Sequence, residues 1–321
     1  MASSGTDALA AGTSVVNESV SGGPTTGALS LLTVEHVTTY HYRQPVRFGQ
    51  HRLMFRPREG HDVQVLEAGV DVSVPSRIDW MLDTQSNSVT LVTPQAESAE
   101  LKIECRFKIE QHRVRSAQDL PLAAHAQRWP FDYSGEERRD LGAMLEPHYL
   151  DPDARLYEWM RPFVTQAARP DTKELLMSLA DAIKSGLKYE IRNEEGTQTP
   201  DETLARGSGS CRDYALLMME AVRRLGMAGR FVSGYLYDPA QDTGWDEGVV
   251  GAGATHAWLD VYLPGAGWVP FDPTNAIFRS ANLIRVAFAR DPKLAAPLTG
   301  SWFGTASDYV GMDVKVSVRR V

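Results

Sequence analysis

From Leu101 to Glu110 apolar and charged positions alternate without a break. Leu101, Ile103, Cys105, Phe107 and Ile109 fall on one side, and Lys102, Glu104, Arg106, Lys108 and Glu110 on the other. A period of two over this length predicts a strand with one buried face, and it puts Cys105 on that face as a small hydrophobe. Other short stretches in the first third carry related signatures. Thr33–Tyr42 is rich in Val, Thr and Tyr; Gln64–Val74 and Arg77–Leu82 follow, and a polar turn at Ser86-Asn87 leads into Val89–Val92. Strands that succeed one another with turn signals between them predict an antiparallel β domain over residues 31–115. His36, His41, His51 and His61 are scattered through it. His36 shares strand parity with Val34, Tyr40 and Tyr42, which predicts a hydrogen-bonded histidine at the edge of a core, not a metal ligand.

The pattern changes from about residue 117. Ser134 opens a predicted helix with Glu136 and Glu137 in its first turn, and Asp153–Val164 reads as a second. Asp171 with Glu174 resembles a capping box, and Leu175, Leu176, Leu179, Ile183 and Leu187 then recur at helical spacing. Thr197–Gly209 reads as a loop because of Pro200 and the glycines near its end. A helix follows from Cys211. Its apolar residues, Tyr214, Ala215, Leu216, Met218, Met219, Ala221, Val222 and Leu225, cover most of its circumference, so it is expected to be largely buried, with Gly226 placed to stop it. Strands are predicted at Arg230–Tyr237, His256–Leu263 and Trp268–Phe271. Helices preceding an antiparallel sheet predict an α+β architecture for residues 116–321, including a C-terminal strand. Residues 1–30, mostly Ala, Ser, Gly and Thr, read as a disordered tail.

Charge and composition narrow the partners. The 321 residues carry a formal net charge of -8, and no Lys/Arg cluster offers the basic face that a phosphate backbone needs. No apolar run approaches the roughly 20 residues of a membrane-spanning helix, and the first residues lack the basic start and apolar stretch of a secretory signal. The expectation is a cytoplasmic protein with neither nucleic acid nor membrane as partner. The only cysteines are Cys105 and Cys211; the inward place of Cys105 argues against a disulfide, and the absence of C-x-x-C spacing argues against zinc. Asp238, Asp242, Asp246 and Glu247 form an acidic loop whose spacing does not match a calcium-binding EF-hand, so a solvated loop is expected. No metal and no cofactor is expected.

Three residues in the second half carry candidate chemistry. Cys211 follows Gly207-Ser208-Gly209-Ser210 and heads a helix, where the dipole and the free N–H groups favour an anion. Small residues there let substrate approach the backbone, and the Cys211 N–H can donate to a developing oxyanion. His256 stands at the start of a strand whose alternation puts His256, Trp258, Asp260 and Tyr262 on one face, expected to look into a cleft. Ala257, Leu259, Val261 and Leu263 take the other face, expected to pack on a core. A histidine beside a cysteine activates the thiol. Asp272 ends the next strand, after the tight turn Pro264-Gly265-Ala266-Gly267, and can accept from the imidazole to fix its tautomer. Trp258 and Tyr235 flank these residues in sequence, as lining of an acyl site or as core.

Gly-Ser-Cys-Arg-Asp-Tyr-Ala at 209–215, Thr-His-Ala-Trp at 255–258 and Gly-Trp-Val-Pro-Phe-Asp-Pro-Thr-Asn at 267–275 together resemble the three core motifs of the bacterial transglutaminase-like family. Val34–Tyr42 and Met54-Phe55-Arg56-Pro57-Arg58 resemble the β-rich region that precedes this core in one bacterial subgroup. Asp260 departs from the pattern, standing where a glutamate is expected. The resemblance implies a papain-like core and a Cys-His-Asp triad at Cys211, His256 and Asp272. It implies acyl transfer on amide or peptide bonds of a protein or peptide substrate, with hydrolysis of the protease or amidase type as the expectation. A protein-glutamine transglutaminase that cross-links or deamidates, and a non-enzymatic binding module that keeps the fold, are the alternatives.

Overall fold

A computed structural model describes residues 30–112, 120–165, 169–192, 194–242, 250–251 and 254–321. The tail assigned to residues 1–30 therefore lies, but for Ser30, outside the described residues. The first strand, β1 (Ser30–Phe48), is the centre of a sheet. After β2 (His51–Leu53) the chain forms β3 (Val63–Val72), β4 (Ser76–Leu82), β5 (Ser88–Pro94) and β6 (Ser98–Gln111), all antiparallel to their neighbours. Strand β6 buries the apolar side read from its alternation: Leu101, Ile103, Cys105, Phe107 and Ile109 are at most 4% exposed. It pairs with β1 on one side and β3 on the other.

Helices follow as the spacing predicts. Ser134 caps α1 (Gly135–Leu141) in a reciprocal capping box with Glu137. Next come α2 (Arg155–Thr165) and α3 (Thr172–Gly186), whose N-cap Asp171 accepts from the Lys173 and Glu174 N–H groups. The stretch expected to be a loop at 197–209 instead holds a helix, α4 (Pro200–Arg206), between the two-residue strands β7 (Lys188–Tyr189) and β8 (Ser208–Gly209). Thr199 and Glu202 close a capping box around Pro200, which sits in the first turn where its missing N–H is harmless. Gly207 ends the helix at φ +65°.

Helix α5 (Cys211–Arg224) is the spine of the second half. Every residue from Asp213 to Arg223 is buried, in keeping with its nearly all-round apolar surface. Its buried charges are paired: Arg223 donates to Glu220 at 2.9 Å and to the carbonyls of Gly229 and Arg290. Beyond it lie β9 (Gly229–Leu236), the short α6 (Pro239–Asp242), β10 (Thr255–Leu263), β11 (Gly267–Asp272), β12 (Ile277–Phe278) and β13 (Leu283–Ala289). The strands form one antiparallel sheet in the order β12-β11-β10-β9-β13. The β10–β11 hairpin turns through Gly265 at φ +87°, and Leu259 faces Phe271 across it.

The last strands return to the first. β14 (Leu298–Thr299) pairs with β2 and β15 (Trp302–Phe303) with β1. β16 (Tyr309–Arg320), assigned by sequence to the second half, runs antiparallel along β1 from Leu32 opposite Arg320 to Tyr42 opposite Tyr309. One continuous hydrophobic cluster accordingly includes Leu32, Ile103, Met218, Leu259 and Val318.

Candidate active site

Cys211 is the first residue of α5, and the turn before it is fixed by a buried carboxylate. Asp213, with no exposed surface, accepts from Ser210 N and Ser210 Oγ, both at 2.8 Å. It also accepts from Arg192 Nη1 at 2.8 Å and Gln198 N at 2.7 Å. A buried charge met by this many donors holds one geometry. Gly209 allows it, because a Cβ there would stand 3.0 Å from Asp213 Cβ. Arg212 points the other way and donates to the carbonyls of Gly196, Arg192 and Glu194. The two residues after Cys211 thus tie the segment before α4 to the start of α5.

His256 enters from β10 and Asp272 from the end of β11. His256 Nε2 donates to Asp272 Oδ2 at 2.8 Å, and neither side chain has exposed surface. Asp272 also accepts from Thr274 N at 2.9 Å and Asn275 Nδ2 at 2.8 Å. Burial works to raise the Asp272 pKa, but His256, Asn275 and Thr274 together hold it below the ordinary carboxylate value. Burial likewise works to lower the His256 pKa. The Asp272 carboxylate, and after it the Cys211 thiol, reverse this and push it up to about 10. Among the described residues His256 Nδ1 is buried without a well-formed hydrogen bond, and the Cys211 thiol still interacts with the ring through hydrogen bonding and charge. Such a loose contact is common before substrate tightens a catalytic pair. Cys211 itself is half-buried and is the most accessible of the three.

Two further features of the site are not signalled by the sequence patterns used above. Asn275 reaches from Asp272 to the Val250 backbone: its Nδ2 donates to Val250 O at 3.0 Å, and its Oδ1 accepts from Val250 N at 3.1 Å. This holds Gly251 against the imidazole. A methyl group on Gly251, whose φ is +92°, would stand 2.5 Å from His256 Nδ1. The second is Tyr189 on β7, which interacts with the Cys211 thiol through charge and hydrogen bonding.

One expectation is corrected. The face of β10 carrying His256 does not open along its length into a cleft. Trp258 is 1% and Asp260 5% exposed, because Val232, Leu236, Leu283 and Phe288 close over Trp258 as a second small core. Asp260 holds Arg230 at 2.9 Å, and that guanidinium lies between Trp268 and Phe288. Trp258 and Tyr235 are therefore both core residues. Tyr235 links the halves, accepting or donating with His36 Nδ1 at 3.2 Å and reaching Phe55 O at 3.3 Å. The wall next to Trp258 comes from the first half, where Arg58, Glu59, His61 and Asp62 line a cavity of about 510 Å³ with β10, β11 and β13. In the acidic loop, Asp238 accepts from Ala240 N, and Asp242 accepts from Tyr237 Oη and Arg320 N; Asp246 and Glu247 lie outside the described residues.

Comparison with known proteins agrees with this architecture. Residues 161–273 match the transglutaminase-like superfamily core, and residues 32–110 match the bacterial transglutaminase-like N-terminal region. An uncharacterized protein of Mycobacterium leprae is 25% identical over 294 residues, covering 90% of this chain and 99% of that one. An uncharacterized protein of Mycobacterium tuberculosis is 33% identical over 150 residues, 45% of this chain and 46% of that one. Among solved structures, a candidate cysteine protease from Cytophaga hutchinsonii shares the fold with a TM-score of 0.66, at 18% identity and over 91% of each chain. Core and preceding β region are matched in the order in which the motifs run, and the chain belongs to the transglutaminase-like family, as a member with the bacterial N-terminal β region.

Proposed function

We propose that this protein is a thiol-dependent acyl-transfer enzyme that hydrolyses amide or peptide bonds, with Cys211 as nucleophile, His256 as base and acid, and Asp272 orienting the imidazole. One observation carries the reading. His256 is held by Asp272 through Nε2 at 2.8 Å, which leaves Nδ1 for the half-buried thiol at the start of α5. Asp272 fixes the tautomer and supports the imidazolium. The Cys211 thiolate adds to the carbonyl carbon, and the carbonyl electron pair moves onto oxygen. Collapse breaks the C–N bond while His256 passes its proton to the leaving amine, giving a thioester. Water, activated by His256, then releases the acid. Hydrolysis is favoured over cross-linking because water is at full concentration, whereas an amine has to be selected by a dedicated pocket.

The test is a variant series on a chromogenic ester and a peptide anilide. Cys211→Ala is expected to abolish the acyl-enzyme in mass spectra, and His256→Ala to lose most of the rate, on the order of 10²–10⁴-fold. Asp272→Asn should lose less. Full activity in Cys211→Ala excludes the mechanism. Turnover in the presence of monodansylcadaverine separates the acceptors, since dominant incorporation of the amine would identify a transglutaminase.

A further inference from the structure

Two residues of chain just after α3 are paired in parallel with two residues just before the nucleophile. Lys188 lies opposite Ser208 and Tyr189 opposite Gly209. Lys188 N donates to Gly207 O and Glu190 N to Gly209 O, both at 2.9 Å. So short a pairing adds little stability. What it does is set Tyr189 in register with the backbone that delivers Cys211. The ring is then held edge-on to Tyr214, one turn along α5, with centroids 6.1 Å apart, and Tyr189 and Cys211 both pack against the main core. The side chain is half-buried and interacts with the Cys211 thiol.

We propose that Tyr189 is a catalytic residue of this site, whose phenol donates a hydrogen bond first to the Cys211 sulfur and then to the oxyanion of the tetrahedral adduct. The proposal rests on the acyl-transfer reading above and deepens it. When the thiolate adds to a carbonyl, the S–C bond forms and the C=O π pair becomes a lone pair on an oxygen bonded to the same carbon as the sulfur. A donor already at the sulfur needs only a small rotation to reach that oxygen. The Cys211 N–H, freed by its place at the start of a helix, supplies one donor from α5. Tyr189 O–H supplies a second from β7. On collapse the pair returns to the carbonyl, the C–N bond breaks, and His256 protonates the amine; Tyr189 keeps its proton throughout. The phenol is suited to that role. Burial, and then the charges of Cys211 and Asp272, raise its pKa well above the usual tyrosine value, so it stays a donor at every pH at which the enzyme would work.

The experiment is Tyr189→Phe, which keeps the ring and its contact with Tyr214 and deletes only the O–H. Two rates are measured on the full chain. Alkylation of Cys211 by iodoacetamide needs the thiolate but forms no oxyanion; acylation by p-nitrophenyl acetate needs both. Acylation is expected to fall about 10²-fold, as for loss of an oxyanion donor, and alkylation to change less than about threefold, with thermal unfolding preserved. Acylation at the wild-type rate overturns the proposal and leaves the acyl-transfer reading standing. Equal losses in both rates also overturn it, because a misplaced thiol then explains them. Failure of the wild-type protein to acylate at all rejects the underlying reading, and this proposal with it.

Discussion

Cys105 and Cys211 are the same side chain in two settings. Cys105 faces the core of β6, 1% exposed, and burial pushes its pKa up to about 12. Cys211 is half-buried, heads a helix and interacts with an imidazole whose pKa the Asp272 carboxylate raises to about 10. Native iodoacetamide labelling followed by mass spectrometry should therefore find Cys211 modified and Cys105 untouched until the protein unfolds; faster labelling of Cys105 would contradict the site. The three candidates were legible in sequence because each stands where a pattern changes: Cys211 at a helix start, His256 at a strand start, Asp272 at a strand end. Tyr189 and Asn275 were not: Tyr189 approaches Cys211 from across α4, and Asn275, although next to Asp272 in sequence, acts by reaching back to Val250. Asp213 was hidden differently. It lies within an apolar helical run, where a carboxylate reads as a surface residue, and only the spacing Ser210-x-x-Asp213 hints at a cap.

At the scale of elements, α4 and α5 are both started by carboxylates, with different consequences for stability. Glu202 and Thr199 close an exposed capping box, while Asp213 is buried and shared among Ser210, Arg192 and Gln198. Thr199→Ala is expected to lose about 1 kcal/mol. Asp213→Ala leaves the Arg192 guanidinium, only 14% exposed, with only the longer contact to the exposed Glu194 at 3.7 Å, and should cost roughly 3–5 kcal/mol. Urea unfolding of both variants measures the difference, and equal losses would mean that the buried hub carries no special weight. Helix α4 also marks where sequence reading fell short. Thr199-Pro200-Asp201-Glu202 is a helix-start signature, but Pro200 and the later glycines suggested a loop when the helix they bracket is only two turns long. The face of β10 was misread for a different reason. Alternation tells which residues share a side, not what covers it, and the Val232–Phe288 cluster that covers Trp258 is assembled from β9 and β13.

Across the whole molecule, His36 joins the two halves. It is 2% exposed, packed at a tilt against Phe55 and hydrogen-bonded to Tyr235 and Thr38; burial lowers its pKa to about 4 from an unfolded value near 6.5. Above pH 6.5 the residue is neutral in both states and its full contribution is present. As pH falls from 6.5 towards 4 the unfolded chain binds a proton that the folded chain refuses, so stability is lost over that window, by up to about 3 kcal/mol. The stability difference between the wild type and His36→Gln, followed by urea unfolding at pH 7, 6 and 5, should shrink or change sign as the pH drops. A constant difference would show that His36 does not titrate with unfolding. A change of pattern near residue 115 was legible, but nothing local in Tyr309–Arg320 says that its partner is the first strand.

That pairing governs the order in which the fold can be assembled. Thr33 and Arg319 are bonded across 286 positions, and closing a loop of that length costs about 5 kcal/mol of chain entropy before any contact is returned. Local hairpins such as β10–β11 form early by comparison, so β16 docks late. Until it does, β1 keeps one bare edge, a row of unpaired amides and carbonyls open to any other strand. The closing strand is therefore a latch in time as well as in space: its arrival ends the interval in which this protein is most exposed to association with its own copies.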